Sequence, residues 1–184
     1  MAEHEVKQLI SQLEGLKANS LTQAPQLLSR AKIALLKLNA LVPSEDTSSS
    51  HLLLAIHVLE LGALISIKLK DTDAFTRYFQ QLQPFYSLPT ERKHGNQSKV
   101  TGLYLLLMLS QGDYAGFHVV LEGLETSSGK DHIERDQFIQ YPVRLEQALM
   151  EGSYDKVWGE TKGERVPSEE FGVFSEVLSA NAAT

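Results

Sequence analysis

Apolar residues recur along this chain at three- and four-residue intervals, and no stretch shows the sustained alternation that a half-buried strand needs. Val6, Leu9, Ile10, Leu13 and Leu16 mark one face of a helix over about residues 2–17. Asn19 and Ser20 interrupt it. Leu27, Leu28, Ala31, Leu35 and Leu38 then mark a second helix over about 22–38, with Pro25 tolerated in its first turn. Residues 43–50 are polar and serine-rich, a connector, and Ser50 is expected to cap the helix that follows to about Lys70. Phe75, Tyr78, Phe79, Leu82 and Phe85 form the stripe of the next helix. Pro25, Pro43, Pro84, Pro89, Pro142 and Pro167 fall where helix ends and loops are expected.

The second half repeats this plan. Asp73-Ala74-Phe75, Gly112-Asp113-Tyr114 and Gly152-Ser153-Tyr154 each open an amphipathic stretch after an apolar one. The aromatic residues are spaced by 39 (Phe75 to Tyr114) and 40 (Tyr114 to Tyr154). A shift of 39 lays Tyr78, Leu82 and Phe85 on Phe117, Leu121 and Leu124, and Ala63 on Gly102, a position where small residues let helices approach closely. A shift of 40 lays Leu105, Leu109 and Phe117 on Leu145, Leu149 and Val157, with Trp158 in the place of His118. Periods of this size belong to stacked helix pairs, each too small to bury its own apolar face. The expected fold is all-α, a right-handed α-solenoid of TPR-like helix pairs forming one domain over 1–184. Its parts are an N-terminal pair at about 1–40, a loop at 42–50, repeat pairs at about 51–86, 98–126 and 141–163, a short helix near 131–140, and a last helix at about 168–180. Phe79 and Trp158 are expected in the core.

Composition narrows the function. The net charge is −6 with no run of Lys and Arg, which argues against nucleic acid. There is no cysteine, hence no disulfide or thiolate metal site. The N-terminus lacks the basic and apolar regions of a secretory signal, and none is expected. Leu52–Leu69 is apolar enough to suggest a membrane span, but His57, Glu60, Ser66 and Lys68 interrupt it and a buried helix is the simpler reading. The histidines, at 4, 51, 57, 94, 118 and 132, form no tight metal pair. His51 and His57 are expected on different faces of one helix, and His118 in the core. Residues 94–99 lack the second glycine of a phosphate-binding loop, and neither nucleophile-elbow nor dinucleotide glycine patterns occur. Glu134 and Asp136 around Arg135 read as a solvated face. No catalytic, cofactor-binding or metal residue is assigned, no cofactor or small-molecule substrate is expected, and the chain is read as no enzyme.

Three segments go further than generic helix pairs: 59–67 leading into 79–86, 103–106 leading into 109–111, and Tyr141-Pro142-Val143-Arg144-Leu145-Glu146 leading into Glu151-Gly152-Ser153-Tyr154. Together they resemble the PCI-domain subunits of the 26S proteasome lid over about residues 5–180. The resemblance implies the helical half of such a protein without its winged helix. It implies a non-catalytic scaffold in ubiquitin-dependent proteolysis, present in cytoplasm and nucleus. Other lid subunits are the expected partners, with ubiquitin-receptor subunits as further candidates. Candidate contact regions are Ser44–Ser50, Glu91–Asn96 and Glu160–Arg165. The alternative is a TPR-like peptide-binding adaptor unrelated to the proteasome, which would need a clamp of cations on its concave face.

Overall fold

The computed structural model describes residues 1–88, 96–161 and 166–174, which fall in two compact units, 1–97 and 98–184. The described residues contain no strand, so the all-α expectation holds for them. The first unit holds α1 (Ala2–Glu14), a 3₁₀ turn (Ala18–Gln23), α2 (Ala24–Lys37), α3 (Ser49–Lys68) and α4 (Thr72–Tyr86). α3 packs against α1, α2 and α4. That explains why it is apolar nearly all round: Ala55, Ile56, Val58, Leu59 and residues 62–67 are buried. By length and composition α3 could cross a membrane, but in this unit its apolar surface is covered by protein. The second unit holds α5 (Gln97–Ser110, beginning at the unit boundary), α6 (Tyr114–Ser128), α7 (Lys130–Arg135), α8 (Gln137–Met150), α9 (Tyr154–Thr161) and a helical stretch over 169–174.

One turn joins α3 to α4, α5 to α6 and α8 to α9. Lys70, Gly112 and Gly152 are left-handed, with φ of 60°, 73° and 68°. In each case the next residue donates its N–H to a carbonyl five residues back: Asp71 to Ser66, Asp113 to Met108 and Ser153 to Ala148, all at 2.9 Å. This Schellman closure satisfies carbonyls that a helix end leaves open. Asp71 and Asp113 then cap the following helices, accepting from the N–H of Ala74 (3.1 Å) and of Gly116 (2.9 Å).

The turns set a register that differs from the aromatic one. Lys70 and Gly112 are 42 residues apart, and Gly112 and Gly152 are 40. On this alignment Phe75, Phe117 and Val157 coincide, and each is fully buried. The 39-residue shift instead pairs Phe75 with Tyr114, the first residue of α6. The slip of three residues is close to one helical turn, so apolar stripes still overlay and periodicity alone does not reveal it. One residue beyond the buried position lie His118 and Trp158, and both point outward. Trp158 is 46% exposed, against the core placement expected, and His118 is likewise exposed.

Two prolines sit inside helices rather than at their ends, Pro84 in α4 and Pro142 in α8. Lacking an N–H, Pro142 leaves the carbonyl of Phe138 without its usual helical donor. Gly102 of α5 lies against that carbonyl so closely that a Cβ there would overlap it and press on Phe171. The expected close approach is therefore real at Gly102. In the first unit it is Gly62, beside Ala63, that plays this part, with the Tyr78 ring lying where a Cβ would stand. Phe171, fully buried, packs against the rings of Phe138 (5.8 Å) and Tyr141 (5.7 Å). Ser48, not Ser50, caps α3, accepting from His51 N–H at 3.3 Å. The short helix expected near 131–140 resolves into α7 and the start of α8, and α1 stops at Glu14. The last helix is described only over 169–174; residues 175–184, with Val177 and Leu178, lie outside the described residues.

Two contrasts test this packing. Gly102→Ala should lower stability by at least ~2 kcal/mol, because a backbone carbonyl cannot step aside. Gly123→Ala, where a Cβ meets nothing, should raise it by ~0.5–1 kcal/mol through helix propensity. Urea denaturation followed by circular dichroism reads both, and equal effects would contradict the close approach. In the same assay Phe79→Ala should cost ~3–5 kcal/mol, and Trp158→Ala within ~1 kcal/mol.

Candidate interaction surfaces and buried polar pairs

Among the described residues no three His, Cys, Asp or Glu side chains are grouped to hold a metal ion. The histidines are engaged one by one. His4 meets Gln8 at 3.1 Å, His51 meets Glu3 at 3.4 Å and His57 meets Glu14 at 2.7 Å. His51 and His57, expected on different faces, thus both reach α1, at its two ends. The Lys7 and His51 side chains hold the Glu3 carboxyl below its ordinary pKa. His118 meets Glu146 at 3.0 Å from an exposed position, so it is hydrogen-bonded but not a core residue. His94 lies outside the described residues. Asp136, expected on a solvated face beside Arg135, caps α8 by accepting from Phe138 N–H at 3.0 Å.

Of the contact regions expected from sequence, Ser44–Ser48 is loop, and Ser49 and Ser50 open α3. Thr47 Oγ1 lies 2.8 Å from Ser44 Oγ and donates to the carbonyl of Asn39 at 3.3 Å. Residues 91–95 and 162–165 lie outside the described residues. Glu160 pairs with Arg144 at 3.5 Å. Sequence reasoning missed two features of the surface. Met150, Tyr154 and Trp158 follow one another at four-residue intervals around the α8–α9 turn, and each is about half exposed. In the first unit, a groove of about 250 Å³ is lined by residues of α2, α4 and the end of α3. The signal for the first lay in the turn register, which sets Trp158 one residue beyond the buried Val157.

Among the described residues three acidic side chains are buried, and each has a partner. Glu170 meets Lys99 Nζ at 3.2 Å and ties 169–174 to α5. Burial pushes its pKa up, but a backbone N–H, the Lys99 charge and Ser168 together hold it below the ordinary value. Its contribution to stability is therefore lost as pH falls. Glu146 is held by His118. Glu60, in the middle of α3, accepts a 2.7 Å hydrogen bond from the Tyr86 hydroxyl. Burial pushes the Glu60 carboxyl up to about 7, with Tyr86 and Asn96 pulling the other way. Burial and the adjacent carboxylate push the Tyr86 phenol up as well.

The sign for Glu60 follows from linkage. Its folded-state pKa is raised, so the native state holds the proton more tightly, and stability is greatest below the unfolded-state value and falls as pH rises towards 7. Between pH ~5 and ~8 the loss from this group is on the order of 2–3 kcal/mol. Glu60→Gln keeps an acceptor for Tyr86 without the charge, and should flatten that slope. Parallel stability–pH curves for the two proteins would contradict the assignment.

The comparisons with known proteins fall on this same architecture. The model of the CSN8/PSMD8/EIF3K family matches residues 95–174, the described part of the second unit with the residues just before it. Similarity to individual proteins runs further. The 26S proteasome regulatory subunit RPN12 of Saccharomyces cerevisiae is 35% identical over 161 residues, 84% of this chain and 58% of that protein. Its Schizosaccharomyces pombe counterpart is 36% identical over 154 residues, 82% of this chain and 53% of that protein. The 26S proteasome non-ATPase regulatory subunit 8 homolog A of Arabidopsis thaliana is 35% identical over 136 residues, 71% of this chain and 49% of that protein. The chain spans about half the length of the curated relatives it matches. Residues 95–174 thus match the model of the CSN8/PSMD8/EIF3K family, and the chain is similar in sequence to proteasome regulatory subunits over the part it shares with them.

Proposed function

We propose that this chain is a non-catalytic structural subunit of the 26S proteasome regulatory particle, part of its lid, working in cytoplasm and nucleus. The observation that carries the reading is identity of 35% across 84% of the chain to a proteasome regulatory subunit, so that both units share in it. The described interior supports it. Its buried carboxylates are spent on pairs that join helices, Glu60 with Tyr86, Glu146 with His118 and Glu170 with Lys99. On this reading 1–184 acts as one helical-repeat domain whose work is to hold a surface in shape for other lid subunits. Tyr154 and Trp158, exposed one turn apart on α9, supply contact area of the kind interfaces favour. The segments 44–50, 91–96 and 160–165 are further candidate contacts, with ubiquitin-receptor subunits among the candidate partners.

The test is capture of the tagged full-length protein from its own cells, with mass spectrometry of what comes with it. Regulatory-particle subunits should co-purify in fixed proportion. Replacing Tyr154 and Trp158 together by alanine should reduce that recovery severalfold while leaving the thermal unfolding of the purified protein nearly unchanged. Capture without any proteasome subunit would overturn the proposal.

A further inference from the structure

The groove of the first unit is not used by anything described so far. Its lining is mixed: Leu28 of α2, Ile65 and Leu69 of α3 and Ala74 of α4 supply apolar surface, with Ser66 and Gln81 beside them. Its two sides carry one cation each, Lys32 on α2 and Arg77 on α4. Neither is in an ion pair among the described residues. Lys32 instead sits over the Tyr78 ring, its Nζ 4.2 Å from the ring centre. Tyr78 in turn lies flat against α3 because Gly62 presents no Cβ. The glycine thus sets the depth of the groove, and the ring sets the place of one cation.

We propose that this groove is a docking site for a linear acidic peptide segment carrying apolar side chains, supplied by another protein. Charge decides the class of occupant. The chain carries a net charge of −6, yet two cations without carboxylate partners among the described residues stand beside this apolar surface. A carboxylate beside either cation gains a charge-assisted hydrogen bond, while an apolar side chain covers Leu28 and Ile65. A nucleic acid would need a longer basic track than two residues. The volume of about 250 Å³ suits the side chains of a short segment and excludes a folded domain.

The ends of the groove are unlike. Asp71, at the start of α4, is engaged with Ala74 N–H and puts negative charge at one end. In the other direction, one turn past Lys32 on the same stripe of α2, stands Leu36, 61% exposed, with Ile33 beside it at 55%. An occupant therefore sets its carboxylates by Lys32 and Arg77 and continues with apolar residues towards Leu36, away from Asp71. This site lies outside residues 95–174 and does not rest on the proteasome reading.

A short fluorescein-labelled peptide of alternating glutamate and leucine is the probe, titrated with the full chain and followed by anisotropy at low and at physiological salt. It should bind, and more weakly as salt rises. Lys32→Glu with Arg77→Glu should weaken it roughly tenfold or more. Lys32→Gln with Arg77→Gln, gentler on the fold, should weaken it in the same direction. Arg30→Glu with Lys37→Glu reverses two exposed cations on the other side of α2 and should change binding by less than about twofold. Absence of binding, equal binding of a lysine–leucine peptide, or equal loss in the two reversed pairs would each overturn the proposal.

Discussion

A helix of eight to twenty residues with one apolar face cannot stand alone in water, and α3–α4, α5–α6 and α8–α9 answer that constraint with one tight reversal between neighbours. One left-handed residue ends the first helix, and in two of the three reversals an aspartate begins the second. The left-handed residue fixes the exit direction, and the aspartate fixes where the next helix starts. Between them they decide which residue of the second helix meets the first. Phe75, Phe117 and Val157 are fully buried because each stands four residues past its cap, at 71, 113 and 153. Trp158 is exposed for the same reason, one position later. The constraint also explains why α3 and α5 tolerate so little polarity. A helix pressed by neighbours has no side left for solvent.

Small residues and prolines act where this packing is tightest. Pro142 would ordinarily be a defect in α8, since it removes a backbone donor. Here the carbonyl that it frees, that of Phe138, faces Gly102, and the approach brings Phe171 into contact with Phe138 and Tyr141. The stretch 169–174 is held by that cluster and by Lys99–Glu170. In the first unit Gly62 gives the same room to Tyr78. One glycine sits between packed elements in each unit, and each admits a different aromatic neighbour.

Much of this was legible in the sequence. Helix content, the existence of pairs and the 40-residue step from α6 to α9 follow from stripes of apolar residues, which local periodicity reports directly. Asp113, which precedes Tyr114 in the repeat, caps α6, whereas before Phe75 the repeat shows Asp73 and the cap is Asp71. The 42-residue step was not legible, because a slip of three residues preserves a helical stripe, and only the position of the left-handed residue resolves it. Lys70 hid that position, since a glycine marks such a turn at 112 and 152 and nothing marks it at 70. The helical prolines were hidden too, because whether a missing donor matters depends on what meets the orphaned carbonyl. The groove was invisible for a related reason: Lys32 and Arg77 are 45 residues apart in sequence, and only the packing of α2 and α4 around α3 brings them to one surface.

The two units place opposite demands on pH. In the first, Glu60 is buried with a phenol as its partner, a donor that carries no charge, so desolvation governs and the neutral acid is favoured. In the second, Glu170 has a lysine and backbone donation, and the charged form is favoured. Acidification thus removes a tie from the second unit while relieving a cost in the first. Near neutral pH the buried Glu60 carboxylate lowers stability. What it supplies is a specific tie between the middle of α3 and the end of α4, one that a slipped pairing of the two helices would break. The same register places Tyr78 on Gly62 and Lys32 over Tyr78. The Glu60–Tyr86 bond and the groove thus both depend on one register of the α3–α4 pair.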